Sequence, residues 1–184
     1  PFLTPDHSLS FSNHELCIML YTLYFHSFFS CPRLDKVGGL GDGPKWTCDI
    51  DRVGTQAARR RQADSDPTSP PDKKHCLMYS VESNGDYQWE DAVQETLKST
   101  GGCEIHIFDP GNFDRGVNNT DKGMVYHKWG LTSSYAKTGN DLVTKRGRNI
   151  VTHSFPEIQK LLGHEGRTID ILKIDCEGCE WYVM

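Results

Sequence analysis

The sequence predicts an α/β fold built on a parallel sheet, and three observations carry that expectation. From residue 75 onward, short apolar runs alternate with segments of helical period. Their order is strand, helix, strand, then strand, helix, strand, as in successive βαβ units. Acidic and small residues collect just after three of the strands, at Glu82-Ser83-Asn84-Gly85-Asp86, Asp109-Pro110 and Asp175-Cys176-Glu177-Gly178. Right-handed crossovers put helices on both faces of such a sheet and bring those strand ends to one rim. The 17 Gly and 9 Pro also exclude a simple helical bundle.

The elements follow in order. HCLMYSVES (75–83) is an apolar run ending in small polar residues, a buried strand over about 76–82. WEDAVQETLKST (89–100) sets Trp89, Ala92, Val93, Thr96 and Leu97 at helical spacing, with acids at its start and Gly101-Gly102 to stop it. CEIHIFDP holds a second strand at about 103–108, and MVYHKWGL a weaker third at about 124–130. SFPEIQKLLG (154–163) reads as a helix with Ser154 as N-cap, Pro156 in the first turn and Gly163 as the stop. TIDILKIDCEG contains a strand at about 169–175, and CEWYVM is expected to begin another helix.

Upstream, the composition changes three times. Residues 1–30 form a hydrophobic N-terminal segment in which 16–30 carry no Lys, Arg, Asp or Glu. That run is shorter than the ~20 residues that span a bilayer. Two readings stand: the end of a signal anchor, or a buried amphipathic or loosely ordered segment. Residues 31–53 are rich in Gly and Cys, with turns expected around GGLGDG, whose spacing fits neither a P-loop nor a dinucleotide fingerprint. Residues 54–74 lack any apolar side chain larger than Ala and read as a disordered linker or insertion. The domain proper runs over 75–184. With Pro at position 1, Met at 184 and four strands in view, the chain is expected to be a fragment.

Charge and cysteine usage narrow the function classes. Twenty Lys+Arg against 25 Asp+Glu give a net charge of −5, which argues against nucleic acid held by a general basic surface. Seven scattered Cys do not make a disulfide-stapled miniprotein, although Cys31 and Cys48 would pair in a secreted chain or stay as free thiols otherwise. Cys176-x-x-Cys179 alone is thin support for zinc or redox chemistry. Asn118-Asn119-Thr120 is a glycosylation sequon that a lumenal domain would expose.

The rim residues suggest a ligand. Gly85 permits a tight turn, while Glu82 and Asp86 would repel phosphate, so a cationic or neutral ligand tail suits this loop. Asp109 stands where an acid in a nucleoside-binding α/β fold accepts ribose hydroxyls; capping the chain before Pro110 is the structural alternative. Asp175, Glu177 and Glu180 crowd the third strand end, a placement that solvent, a ligand or Mg²⁺ or Ca²⁺ would relieve, or that serves only to cap a following helix. His127 and His153 are further titratable candidates.

YSVESNGDYQWE, CEIHIFDP, the looser VYHKWGL and then DILKIDCEGCEW together resemble the ordered motifs of the FkbM-like methyltransferases, and more closely their eukaryotic methyltransferase-like branch, which has an N-terminal membrane anchor. The resemblance covers about residues 75–184. LKIDCEGCEW is its most specific part, and Glu82-Ser83 departs from the usual glycine-rich first motif. It implies a class I, Rossmann-like domain, here truncated after the fourth strand, that binds S-adenosylmethionine. By position, Glu82, Ser83, Asn84 and Gly85 would form the methionine-side loop, Asp109 would hold the ribose, and Gly130 and Leu131 would lie near the adenine. Asp175 and Glu177 would stand at the methyl-transfer end, with no resident metal. The implied reaction is in-line transfer of methyl to an oxygen of a small or carbohydrate-like acceptor; a membrane or secretory setting is expected, with a cytoplasmic one as the alternative. The alternative is a non-catalytic binding module of the same fold. An NAD-type oxidoreductase lacks its GxGxxG here, and a nucleic-acid methyltransferase lacks an NPPY-like motif.

Overall fold

A computed structural model describes residues 31–41, 43–63, 76–114, 123–133, 142–143 and 149–176. The sheet and the helices that pack on it all belong to one unit, residues 34–184. The hydrophobic run 16–30, the sequon at Asn118, Glu177, Cys179, Glu180 and the helix expected after Cys179 lie outside the described residues. Among the described residues no helix is long and apolar enough to cross a membrane.

The core of the fold is a four-stranded, wholly parallel sheet of the Rossmann-like type. Its strands are β3 (Cys76–Val81), β4 (Cys103–Phe108), β5 (Met124–His127) and β10 (Ile171–Ile174), in the order β10-β3-β4-β5. β3 is central and buried at every residue, which is why its sequence is a nearly continuous apolar run. The outer strands β5 and β10 alternate buried and more exposed positions.

Helices α1 (Ile50–Ala63) and α2 (Gln88–Leu97) cover one face, over a core that includes Met78, Val93, Leu97, Ile105 and Ile107. Helix α3 (Phe155–Leu161) covers the other through Ile158, against Leu77, Tyr79 and Phe108. α2 ends in a 3-10 turn, Lys98–Thr100, that stops at Gly101 in the left-handed region. α3 begins where expected. The Glu157 carboxylate accepts the Ser154 backbone N–H at 3.0 Å and its hydroxyl at 3.2 Å.

Two expectations need correction. Residues 54–63, read as part of a disordered linker, are the greater part of α1. Ile50, Val53 and Ala57 form one face at helical spacing that crosses the compositional boundary at Gly54, so small residues suffice where the partner helix comes close. A Cβ on Gly54 would meet Leu97 Cδ2 at 2.6 Å and Thr100 Oγ1 at 2.5 Å. The third expected strand, 124–130, splits after His127. The Trp129 N–H turns back to the His127 carbonyl at 2.8 Å, and β6 (Gly130–Leu131) pairs instead with β9 (Thr152–His153). Short β7 (Leu142–Val143) and β8 (Asn149–Ile150) pair antiparallel.

The glycine-rich segment forms a hairpin, β1 (Leu34–Val37) with β2 (Lys45–Cys48). Gly38, at φ 99°, turns out of β1 and packs so closely on α2 that a Cβ would lie 3.2 Å from the Gln88 carbonyl oxygen. Trp89 Nε1 donates to Thr47 Oγ1 at 2.9 Å, fastening the hairpin to the same helix. At the opposite end of the sheet Cys76 and Cys103, paired in register, form a disulfide, and Cys31, Cys48 and Cys176 are also disulfide-bonded.

Candidate functional site

The strand order reverses beside β3: β4 and β5 follow on one side, β10 returns on the other. In an open parallel sheet such a reversal opens a crevice at the carboxyl ends, because the two flanking crossovers leave in opposite directions. The turn after β3 borders it. Glu82 (φ 54°), Asn84 (φ 51°) and Gly85 (φ 81°) all adopt the left-handed region. Two of the three are not glycine, so the turn holds conformations that cost about 1–2 kcal/mol per residue. The Glu82 N–H donates to the Phe108 carbonyl at 2.8 Å and the Asp86 N–H to the Ser83 carbonyl at 2.9 Å.

Asp109 joins this turn to the loop after β4. It is 4% exposed; its Oδ2 accepts the Asn84 N–H at 2.9 Å and its Oδ1 the Gly111 N–H at 2.8 Å. Of the two alternatives weighed for Asp109, the capping one is what the geometry shows: it caps its own loop, and it does so on the rim beside Glu82–Gly85. Each carboxylate oxygen keeps a further lone pair. Phe113 packs between the loops, where a Cβ on Gly85 would lie 3.0 Å from Cδ1 and one on Gly111 2.2 Å from Cε2. Tyr126 supports the loop from below, its hydroxyl 2.8 Å from the Asp109 carbonyl and 2.9 Å from that of Gly111. Burial pushes this phenol up to about 12, so it stays a donor.

Across the crevice, the Asp175 N–H donates to the Val81 carbonyl at 3.1 Å, which places Asp175 beside the same turn. Its Oδ2 meets Lys45 Nζ at 3.0 Å and Lys173 Nζ at 3.9 Å. Lys173 in turn donates to the fully buried Glu90 at 3.0 Å, and Ser80 Oγ donates to the same Glu90 oxygen at 2.5 Å. Glu90 Oε2 has no partner among the described residues. Two lysines and two carboxylates thus alternate beneath the rim, with Lys173 also 5.8 Å from the Trp89 ring centre.

The structure brings Glu82, Ser83, Asn84, Gly85, Asp109 and Asp175 to one rim. Gly130 lies beside Pro110, but Leu131 is packed into the core on the α3 face. His127 faces that side too, stacked on Trp129 with its Nε2 2.8 Å from His106 Nδ1. Burial, then the neighbouring His106 and His164, hold it down at about 4, so it is neutral at pH 7. His153 lies edge-on to Trp129. Sequence reading missed Lys45, Glu90, Lys173 and Tyr126. Lys173 offered a signal, since a lysine inside an apolar strand needs a buried counter-charge; Glu90 in an acidic helix start offered none.

Neither the curated proteins nor the solved structures contain a match to this chain. A family model described as a methyltransferase domain matches residues 8–184, which include the whole rim. With a parallel α/β sheet and acids gathered at its reversal point, the chain belongs to the methyltransferase-domain family.

Proposed function

We propose that this methyltransferase uses S-adenosylmethionine and transfers methyl to an oxygen of a small, carbohydrate-like acceptor. The observation that supports it best is Asp109, a buried carboxylate with spare lone pairs, hydrogen-bonded to the strained turn of Glu82, Asn84 and Gly85. That donor set fits the cofactor. Asp109 suits a pair of ribose hydroxyls, and the Glu82 side of the turn suits a cationic amino-acid and sulfonium end better than a phosphate. When bound, the cofactor supplies an activated methyl group.

The chain's own residues position and deprotonate. Asp109 and the Asn84 N–H hold the two loops at a fixed spacing, which confines a ligand between them. Asp175, with its side chain 43% exposed at the crevice, is the described candidate to take the acceptor hydroxyl's proton, with Glu177 the other candidate. Lys45 Nζ, 3.0 Å from Oδ2, directs the Asp175 carboxylate. The FkbM-like resemblance supports oxygen as the accepting atom, and acids at the rim disfavour phosphate-rich acceptors.

Calorimetry of the purified protein with S-adenosylmethionine tests the reading. Asp109→Asn is expected to bind about tenfold or more weakly, since a charge-assisted acceptor is replaced by a half-donating amide. Equal affinity removes the ribose role. Labelled methyl transfer to a panel of sugars, polyols, peptides and RNA tests the acceptor. Transfer only to peptide nitrogen or RNA overturns the oxygen assignment, and binding without transfer leaves the non-catalytic module.

The Cys76–Cys103 disulfide supports a secretory location, because such bonds persist in oxidising compartments. Glycosidase treatment of protein from eukaryotic cells tests it, with a mobility shift from Asn118 expected.

A further inference from the structure

The face of the sheet toward α3 carries a second polar group, nearer the amino ends of the strands than the rim. Glu104 and His106 are two apart on β4 and so share one side, and His164 joins them from the turn after α3. His106 Nε2 lies 3.0 Å and His164 Nε2 3.2 Å from the same oxygen, Glu104 Oε1. The three ligand-type atoms all fall within 4.8 Å of one another.

We propose that Glu104, His106 and His164 bind a zinc ion through two imidazole nitrogens and one carboxylate oxygen, clamping the α3–β10 connection to β4. Two His and one Glu are a donor set zinc accepts, and tetrahedral bonds of about 2.0–2.1 Å set ligand atoms roughly 3.3 Å apart. The observed separations from Glu104 are already close to that.

The surroundings fit as well. His106 Nδ1 meets His127 Nε2 at 2.8 Å, and His164 Nδ1 meets the Tyr79 hydroxyl at 2.8 Å. The second Glu104 oxygen accepts Arg167 at 2.7 Å. Metal-binding imidazoles are commonly fixed in this way through the ring nitrogen that does not bind the ion. His106 and His164 are 5% and 3% exposed, whereas the Glu104 side chain is 28% exposed, which leaves a route for the ion and a fourth, water ligand.

The competing account is a metal-free network in which both Nε2–H groups donate to Glu104. The two differ in tautomer. Zinc takes both Nε2 lone pairs and moves each proton to Nδ1, where His127 and the Tyr79 oxygen accept it.

The experiment strips the purified protein with a chelator and titrates Zn²⁺ against a chromophoric competitor. One equivalent is expected to bind, with X-ray absorption showing two imidazoles on the ion and Co²⁺ giving tetrahedral ligand-field bands. Tyr79→Phe, which keeps the ring and removes the supporting hydroxyl, is expected to weaken binding about 10–100-fold. His164→Gln and Glu104→Gln are expected to abolish it, with circular dichroism confirming that each is folded. Absence of binding, an absorption spectrum without imidazole, or undiminished affinity in all three variants overturns the site. If the variants do not fold, the wild-type absorption spectrum decides alone.

Discussion

Tyr126 shows how one hydroxyl governs a loop. It stands beneath two carbonyls of the 109–111 segment, and burial raises its pKa to about 12 from the usual 10. A phenol whose folded pKa is raised contributes stability that is complete below pH 10 and lost as pH climbs through about 12. Tyr126→Phe removes that titration together with the hydrogen bonds. The expected result is a loss of about 1–3 kcal/mol at neutral pH by urea unfolding, and a smaller alkaline decline than in the wild type. Gly85 makes a second residue-scale prediction. Its φ of 81° and the Phe113 ring 3.0 Å from a built Cβ both oppose a side chain. Gly85→Ala is expected to cost about 1–2 kcal/mol, measured the same way. Gly85 was legible as a turn residue in the sequence. Tyr126 was not, because its role depends on a loop far from it along the chain.

At the scale of elements, α1 gives the sharpest test. In a free helix Gly→Ala gains up to about 1 kcal/mol. At Gly54 the sign should reverse, because the new methyl would enter space held by Leu97, itself 1% exposed, and by Thr100. Gly54→Ala is therefore expected to lower stability by about 1–3 kcal/mol in thermal unfolding. A gain would show that α1 is not seated on α2 as described. The same contact explains why composition misled over 54–63. A lack of large apolar residues signals disorder only where no partner approaches closely, and here close approach needs small residues.

For the whole molecule, the Cys76–Cys103 bridge joins the amino ends of two neighbouring strands and closes a loop with a sequence separation of 27. Chain-entropy reasoning gives such a loop about 3–4 kcal/mol. Reduction, or Cys76→Ser with Cys103→Ser, is expected to lower the unfolding midpoint without changing the sheet's circular dichroism. The four strands of the parallel sheet (except where the third ends), their parallel pairing and the gathering of Glu82, Asp109 and Asp175 at one rim were readable from the sequence by itself. Each depends on local periodicity and on a general handedness of crossovers, and both are written in neighbouring residues. Only the tertiary structure decided that Asp109 binds the Asn84 turn, that Lys45 and Lys173 neutralise Asp175, and that Glu104, His106 and His164 converge. Lys173 and Asp175, and Glu104 and His106, are two positions apart on their strands, but the other pairings join residues 25 to 130 positions apart, brought together by strand order and helix packing. A linear pattern has no term for that, since a buried charge is defined by what the fold places opposite it.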